Sequence, residues 1–269
     1  MKRTIALLLT LIMVFASISM SVSASGVSEQ DNGNTLSVME FTTKFKNEPI
    51  NTGILDEPLE STEEQLSKLN DSSFSEELKA IIRKKLSENI SESKSIAPMA
   101  TTWTYLSGFT IYKQQETYYC VPASVKAAMQ YLTGSSDSQD TIAKALGTTK
   151  SGTPFSAART YLNENQDENY YVSKSASTSL EVMQSNFESA IDTYDAPPLI
   201  SVSFSSDDGW PYDTSGHTMC ISGKRDDLEY FRLADPYIKW ADSNASMFYS
   251  KSASDIHTAI SDRGNGYIY

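Results

Sequence analysis

An α+β fold, helix-rich first and strand-rich second, is predicted by three features of this chain of 269 residues. Apolar residues recur at helical spacing between Cys120 and Tyr194. After Ala196-Pro197-Pro198 the signal changes to period two and to continuous β-rich runs. The two kinds of element are segregated along the chain, which is the pattern of helices gathered against an antiparallel sheet.

The first residues carry an export signal. Lys2-Arg3 make a positive start, Ile5 to Ala16 are almost unbroken apolar, and Val22-Ser23-Ala24 offers the small-residue cleavage pattern. The apolar run is too short to span a bilayer. A signal peptide over 1–24 and a secreted product, extracellular or associated with the cell wall, are expected.

Residues 25–100 are polar and acidic, and such a segment buries little by itself. Within it Glu76 to Ile90 reads as an amphipathic helix with Leu78, Ile81, Ile82, Leu86 and Ile90 on one face and a capping box from Ser73 to Glu76. A lone helix of that kind needs a surface to lie against. The segment is expected to be either a pro-segment packed on the following domain, holding it latent, or a spacer. Composition shifts between Ser95 and Thr102, where aromatics become frequent, so a packed domain is placed at 101–269.

That domain opens with a strand-like run, Trp103 to Tyr112. A helix follows from Cys120, with Val125, Ala128, Met129 and Leu132 on one face, Pro122 in its first turn and Gly134 as its stop. Further helices are expected over Ser138 to Leu146, over Thr153 to Leu162 with Thr153 as N-cap, and over Ser179 to Tyr194 with a capping box from Thr178 to Glu181. Leu199 to Phe204, His217 to Gly223 and Glu229 to Ala234 read as strands, and Ser254 to Ile260 as a last short helix.

Chemistry concentrates at four positions. Cys120 stands at a helix start, where the positive end of the helix dipole favours thiolate over thiol. A lone cysteine is more often a small buried hydrophobe, but here the second half of the chain supplies partners. His217 opens one strand and Asp235 closes the next, which brings imidazole and carboxylate together in an antiparallel pair. The carboxylate fixes the tautomer and stabilises the imidazolium, leaving the other ring nitrogen for the cysteine proton. Gln114, six residues before Cys120, can fold its amide back as an oxyanion donor; Gln115 competes for that role. Asp235 before Pro236 is also a plausible turn former. His257 reads as a surface histidine. Trp210, Tyr212 and Asp207-Asp208 either border the cleft or are plain loop residues.

A formal charge of −12 argues against nucleic acid or anionic membrane as partner. Cys220 and His217 lack the further ligands of a metal site, so neither metal nor cofactor is expected. Strand parity turns Cys220 away from His217, so the two cysteines, Cys120 and Cys220, are expected to stay unpaired.

The string Gln114-x5-Cys120 with Pro122 and a helix, then Gly216-His217 opening an apolar strand, then Ala234-Asp235-Pro236, resembles the bacteriocin-processing group of papain-fold cysteine peptidases. The resemblance covers roughly residues 103–269. It implies a papain-like fold with the nucleophile on the helical half and His and Asp on the sheet. It also implies Cys120 as nucleophile, His217 as base, Asp235 as orienter and Gln114, with the cysteine N–H, as oxyanion hole. Together with the export signal it points to a free-standing secreted peptidase, made as a precursor and acting on peptides or proteins. An amidase or acyl transferase uses the same acyl-enzyme, and a catalytically silent surface-binding module is the alternative from another class.

Overall fold

The computed structural model describes residues 50–51, 53–55, 59–70, 74–87 and 102–269, all within one compact unit. Residues 1–24, Ser73, Ile90 and the stretch before Thr102 lie outside the described residues. None of the described helices is long and apolar enough to cross a membrane.

The described elements, in order, are β1 (Ile50–Asn51), α1 (Thr62–Asn70), α2 (Glu76–Ser87), β2 (Trp103–Tyr105), α3 (Cys120–Thr133), α4 (Gln139–Ala145), α5 (Phe155–Asn165), β3 (Ser173–Lys174), α6 (Leu180–Asp192), β4 (Leu199–Phe204), β5 (Thr214–Arg225), β6 (Tyr230–Ala234), α7 (Ile238–Ala241), β7 (Phe248–Ser252), α8 (Ala253–Arg263) and β8 (Tyr267–Ile268). Helices and an antiparallel sheet share one core, an α+β arrangement.

The sheet runs β3-β8-β4-β5-β6-β7, with β5 as its long central strand. β4 holds one edge of β5 from Thr214 to Cys220, and β6 takes the other from Cys220 onward. Ahead of β6, β1 pairs in parallel with β5 at Thr214 and Gly216. This is why β5 begins at Thr214 and not at His217: backbone partners on both sides extend the strand into what the sequence marks as loop. β2 is shorter than expected, because a turn at Gly108, with φ of 79°, ends the extended run.

Helix α3 is the buried axis of the helical half. Val121, Val125, Ala127 and Ala128 are fully buried, and the Ser124 hydroxyl donates to Thr218 O on β5 at 3.3 Å. Pro122 falls in the first turn, where a missing N–H costs nothing. Gly134 ends the helix in the left-handed region, its N–H returning to Gln130 O.

Two helix starts differ from expectation. α5 begins at Phe155, because Thr153 is drawn into an extended bridge with Ile54: its N–H donates to Gly53 O at 2.6 Å and its carbonyl accepts from Leu55 N at 2.9 Å. α6 is capped by Ser179, not Thr178, through a bond from Val182 N. In the first turn of α2, Ser75 Oγ accepts from Leu78 N; the expected cap at Ser73 lies outside the described residues.

Hydrogen bonds join residues 59–70 and 74–87 to side chains and backbone further along the chain. α2 buries Ile82, Leu86 and Lys85, while Ile81 is 45% exposed, so the apolar face is rotated from the one expected. Lys85 Nζ donates to Asn169 Oδ1 at 2.7 Å and to Tyr170 O at 3.0 Å and lies 4.0 Å over the Tyr194 ring. α1 adds Gln65, which donates to Ser173 O at 3.1 Å and accepts from Ser173 N at 2.7 Å. Arg159 of α5 pairs with Glu60.

Candidate active site

Cys120 is the first residue of the fourteen-residue helix α3, so its sulfur sits where helix N–H groups lack intrahelical partners and the dipole is positive. It is fully buried. His217 comes from β5 and Asp235 from the residue just past β6, and both are fully buried. His217 Nε2 lies 2.8 Å from Asp235 Oδ1, and the ring also hydrogen-bonds the Cys120 thiol group. Because Asp235 takes Nε2, the cysteine meets the other ring nitrogen. Burial opposes charge on the imidazole, yet the Asp235 carboxylate and the cysteine outweigh it and raise the His217 pKa to about 9. Asp235 is held below its ordinary value: burial pushes it up, but His217 and donors to the carboxylate prevail.

Those donors encircle Asp235. Oδ1 also accepts from Tyr237 N at 2.8 Å and Ile238 N at 3.3 Å. Oδ2 accepts from Tyr212 Oη at 2.8 Å and Tyr249 Oη at 3.0 Å. The turn role of Asp235 and its contact with His217 thus coexist.

Gln114 is fully buried. Its Nε2 donates one hydrogen to Glu116 O at 2.8 Å, which leaves the second hydrogen for another acceptor. The loop is fixed from outside: Gln114 N donates to Pro236 O at 3.0 Å, and Trp240 Nε1 donates to Gln114 O at 2.9 Å. Gln139, at the start of α4, accepts from Gln115 N and donates to Lys113 O, both at 2.9 Å. Gln115 itself is exposed.

The structure therefore brings together Cys120, His217 and Asp235, with Gln114 on the loop that enters α3. Cys220 and Cys120 are both free. Cys220 also meets α3, its Sγ 3.7 Å from Ser124 O, one turn beyond Cys120 rather than on the side away from the helix. Burial pushes its thiol up to about 12, so it stays protonated and inert. His257 is half-buried and bonds Thr178 O at 2.8 Å. Among the described residues no cluster of three or more His, Cys, Asp or Glu could hold a metal ion.

Residues 106–255 match the model of the Peptidase_C39 like family. The chain belongs to that family. It is accordingly a cysteine peptidase, and its α+β architecture is the papain-like fold of the group. A solved structure, the peptidase domain of Streptococcus ComA, a bifunctional ABC transporter involved in a quorum-sensing pathway, is similar at 17% identity with a TM-score of 0.40. The match covers 60% of this chain and 96% of that one. No curated protein matches.

For a member of the Peptidase_C39 like family, several supports were missed in the sequence. In the sequence Tyr212 reads only as a cleft or loop residue, and Tyr249 and Gln139 carry no signal: a tyrosine on a strand and a glutamine on a helix are ordinary there. Trp210 stacks on Phe204 with centroids 4.1 Å apart and is nearly buried, while Asp207 and Asp208 form an exposed single turn.

Proposed function

We propose that the protein is an exported precursor of a cysteine peptidase that hydrolyses peptide bonds through Cys120, His217 and Asp235, with Gln114 as oxyanion donor. The observation that carries this reading is the 2.8 Å contact of His217 with Asp235 on a ring that also bonds the thiol at the start of α3. With the imidazole pKa raised to about 9, His217 carries a proton at neutral pH and can deliver it during the reaction. The thiolate attacks the scissile carbonyl. The oxyanion takes hydrogen bonds from the Cys120 N–H, one of the unpaired donors of the helix start, and from the spare Nε2 hydrogen of Gln114. His217 passes its proton to the leaving amine and then takes one from the water that resolves the thioester. Asp235 keeps the ring oriented.

Residues 1–24 are read as the export signal, 25–100 as the pro-segment and 101–269 as the peptidase domain. Latency is supported by the backbone around Gly53. β1 runs along β5 up to Gly216, next to His217, Gly53 sits on the backbone of Tyr118, two residues from Cys120, and Ile54 bridges to Thr153. The Gly53 carbonyl oxygen accepts from Thr153 N, which fixes this stretch of backbone beside the loop that leads to Cys120. The substrates are peptides or proteins.

The test is hydrolysis of quenched-fluorescent casein by the full chain, its Cys120→Ala and His217→Ala variants, and labelling of Cys120 by iodoacetamide as the chain is processed. Activity that appears with loss of residues 25–100 and vanishes in both variants supports the reading. Full activity in Cys120→Ala overturns it.

A further inference from the structure

We propose that Tyr212 and Tyr249 are positioning residues of the reaction, a pair of hydroxyl donors that orient the Asp235 carboxylate and keep it ionised toward His217. The proposal rests on the triad reading above and extends it to two residues that do not touch the reacting atoms.

A buried carboxylate with one oxygen on His217 is free to rotate or to take up a proton unless its second oxygen is bonded, because burial disfavours its charge. Here both hydroxyls converge on that second oxygen, Oδ2, at 2.8 and 3.0 Å. They arrive from different elements, Tyr212 from the loop before β5 and Tyr249 from β7. Tyr212 is itself buried, with its ring 6.0 Å from the His217 ring and 5.0 Å from that of Tyr237. Oδ1 is shared by His217 and the N–H groups of Tyr237 and Ile238.

The titratable groups that face Asp235 are His217 from β5, Tyr212, Tyr249 and Tyr237, with Cys120 reached through His217. No cation other than the imidazolium is among them. Neutral hydroxyls therefore stabilise the anion without weakening its pull on His217, as an arginine there would. The proximity of the carboxylate pushes both phenols well above their usual range after burial has done the larger part, so they remain donors at every working pH.

Tyr212→Phe, Tyr249→Phe and the double variant keep the rings and remove only the donors. Two measurements are made, the first on the full chain and the second on the chain after processing. Proton NMR follows the His217 N–H that is bonded to Asp235 as the pH is lowered; the chain has 2 histidines, and His257→Gln assigns the signals. The midpoint at which this proton is lost rises by about one unit in each single variant and further in the double, since each hydroxyl bond to the anion opposes protonation. In parallel, a quenched-fluorescent peptide cut by the processed wild-type chain reports kcat lower by about tenfold in each processed variant with KM little changed, and an acid limb displaced in the same direction. An unmoved midpoint with kcat within twofold overturns the proposal. Asp235→Asn separates the two layers of argument: if it too retains full activity the triad reading fails, whereas if it is inactive while both phenylalanine variants behave as wild type, only the tyrosine pair is wrong.

Discussion

Gly53 lies so close to Tyr118 that a β-carbon on it would stand 2.1 Å from the Tyr118 carbonyl oxygen. Its φ of 110° is one that side-chain-bearing residues rarely adopt, and a β-carbon on Gly152 would in turn stand 2.6 Å from the Gly53 carbonyl carbon. Two glycines thus let one segment pass between the loop before Cys120 and the turn before α5. Gly53→Val should dislodge residues 50–55 while leaving the sheet beyond β1 intact. The expected outcome is at least tenfold faster iodoacetamide labelling of Cys120 in the full chain, read by peptide mass spectrometry. Unchanged labelling would mean that the segment does not shield the thiol.

The helical anchor of the same segment gives an independent handle. Ile82 and Leu86, each 1% exposed, should give way to Asp at a cost of several kcal/mol between them, since each change removes core packing and buries a charge. Limited proteolysis of Ile82→Asp/Leu86→Asp should cut between residues 55 and 102 well before the domain itself. Ile81→Asp, at an exposed position, is the control and should leave the digestion pattern unchanged.

The loop of Gln114 separates chemistry from support. Gln114→Ala should lower kcat by on the order of 10² with thiol labelling retained, because an oxyanion donor acts on the transition state. Gln139→Ala removes a clamp on the backbone at Lys113 and Gln115 and should cost less, about tenfold. A Gln139 variant as impaired as Gln114→Ala would show that loop position, not the amide donor, limits turnover.

The His217 charge has a pH signature. Its folded pKa, about 9, exceeds its ordinary value of 6.5, so its contribution to stability is fully present below the unfolded value and is lost as pH rises through about 9. Asp235, held below its ordinary 3.8, acts oppositely, its contribution being lost only as pH falls through the lowered value. Melting temperature should therefore drop between pH 7 and pH 10, and His217→Asn should remove part of that drop. Parallel curves for the two proteins would contradict a charged His217 in the folded state.

Much of the site was legible locally. A cysteine before Val-Pro and a helical apolar face announces a helix start, and Gly134 announces its end, because capping and periodicity act within a turn or two of the chain. The approach of His217 and Asp235 followed from two strands joined by a short turn, whose geometry is also local. The four elements Leu199–Phe204, Gln139–Ala145, Leu180–Asp192 and Tyr230–Ala234 were found within a few residues for the same reason.

What the tertiary structure alone decided concerns partners far apart in sequence. Thr153 has the composition of an N-cap, yet it pairs with Gly53 and Ile54, about one hundred residues earlier, and an extended ladder displaces the cap. Ile81 lies on the apolar face of its helix, but the angle at which α2 docks turns Ile82 and Lys85 inward instead. The hydroxyls of Tyr212 and Tyr249 meet on one carboxylate oxygen only because β5, β6 and β7 are ordered side by side. Sequence pattern carries which face of an element is apolar and where it starts and stops, since those are set by neighbouring residues. Which surface that face meets, and which side chains converge on Asp235, is set by packing among elements whose pairing energy depends on the whole fold.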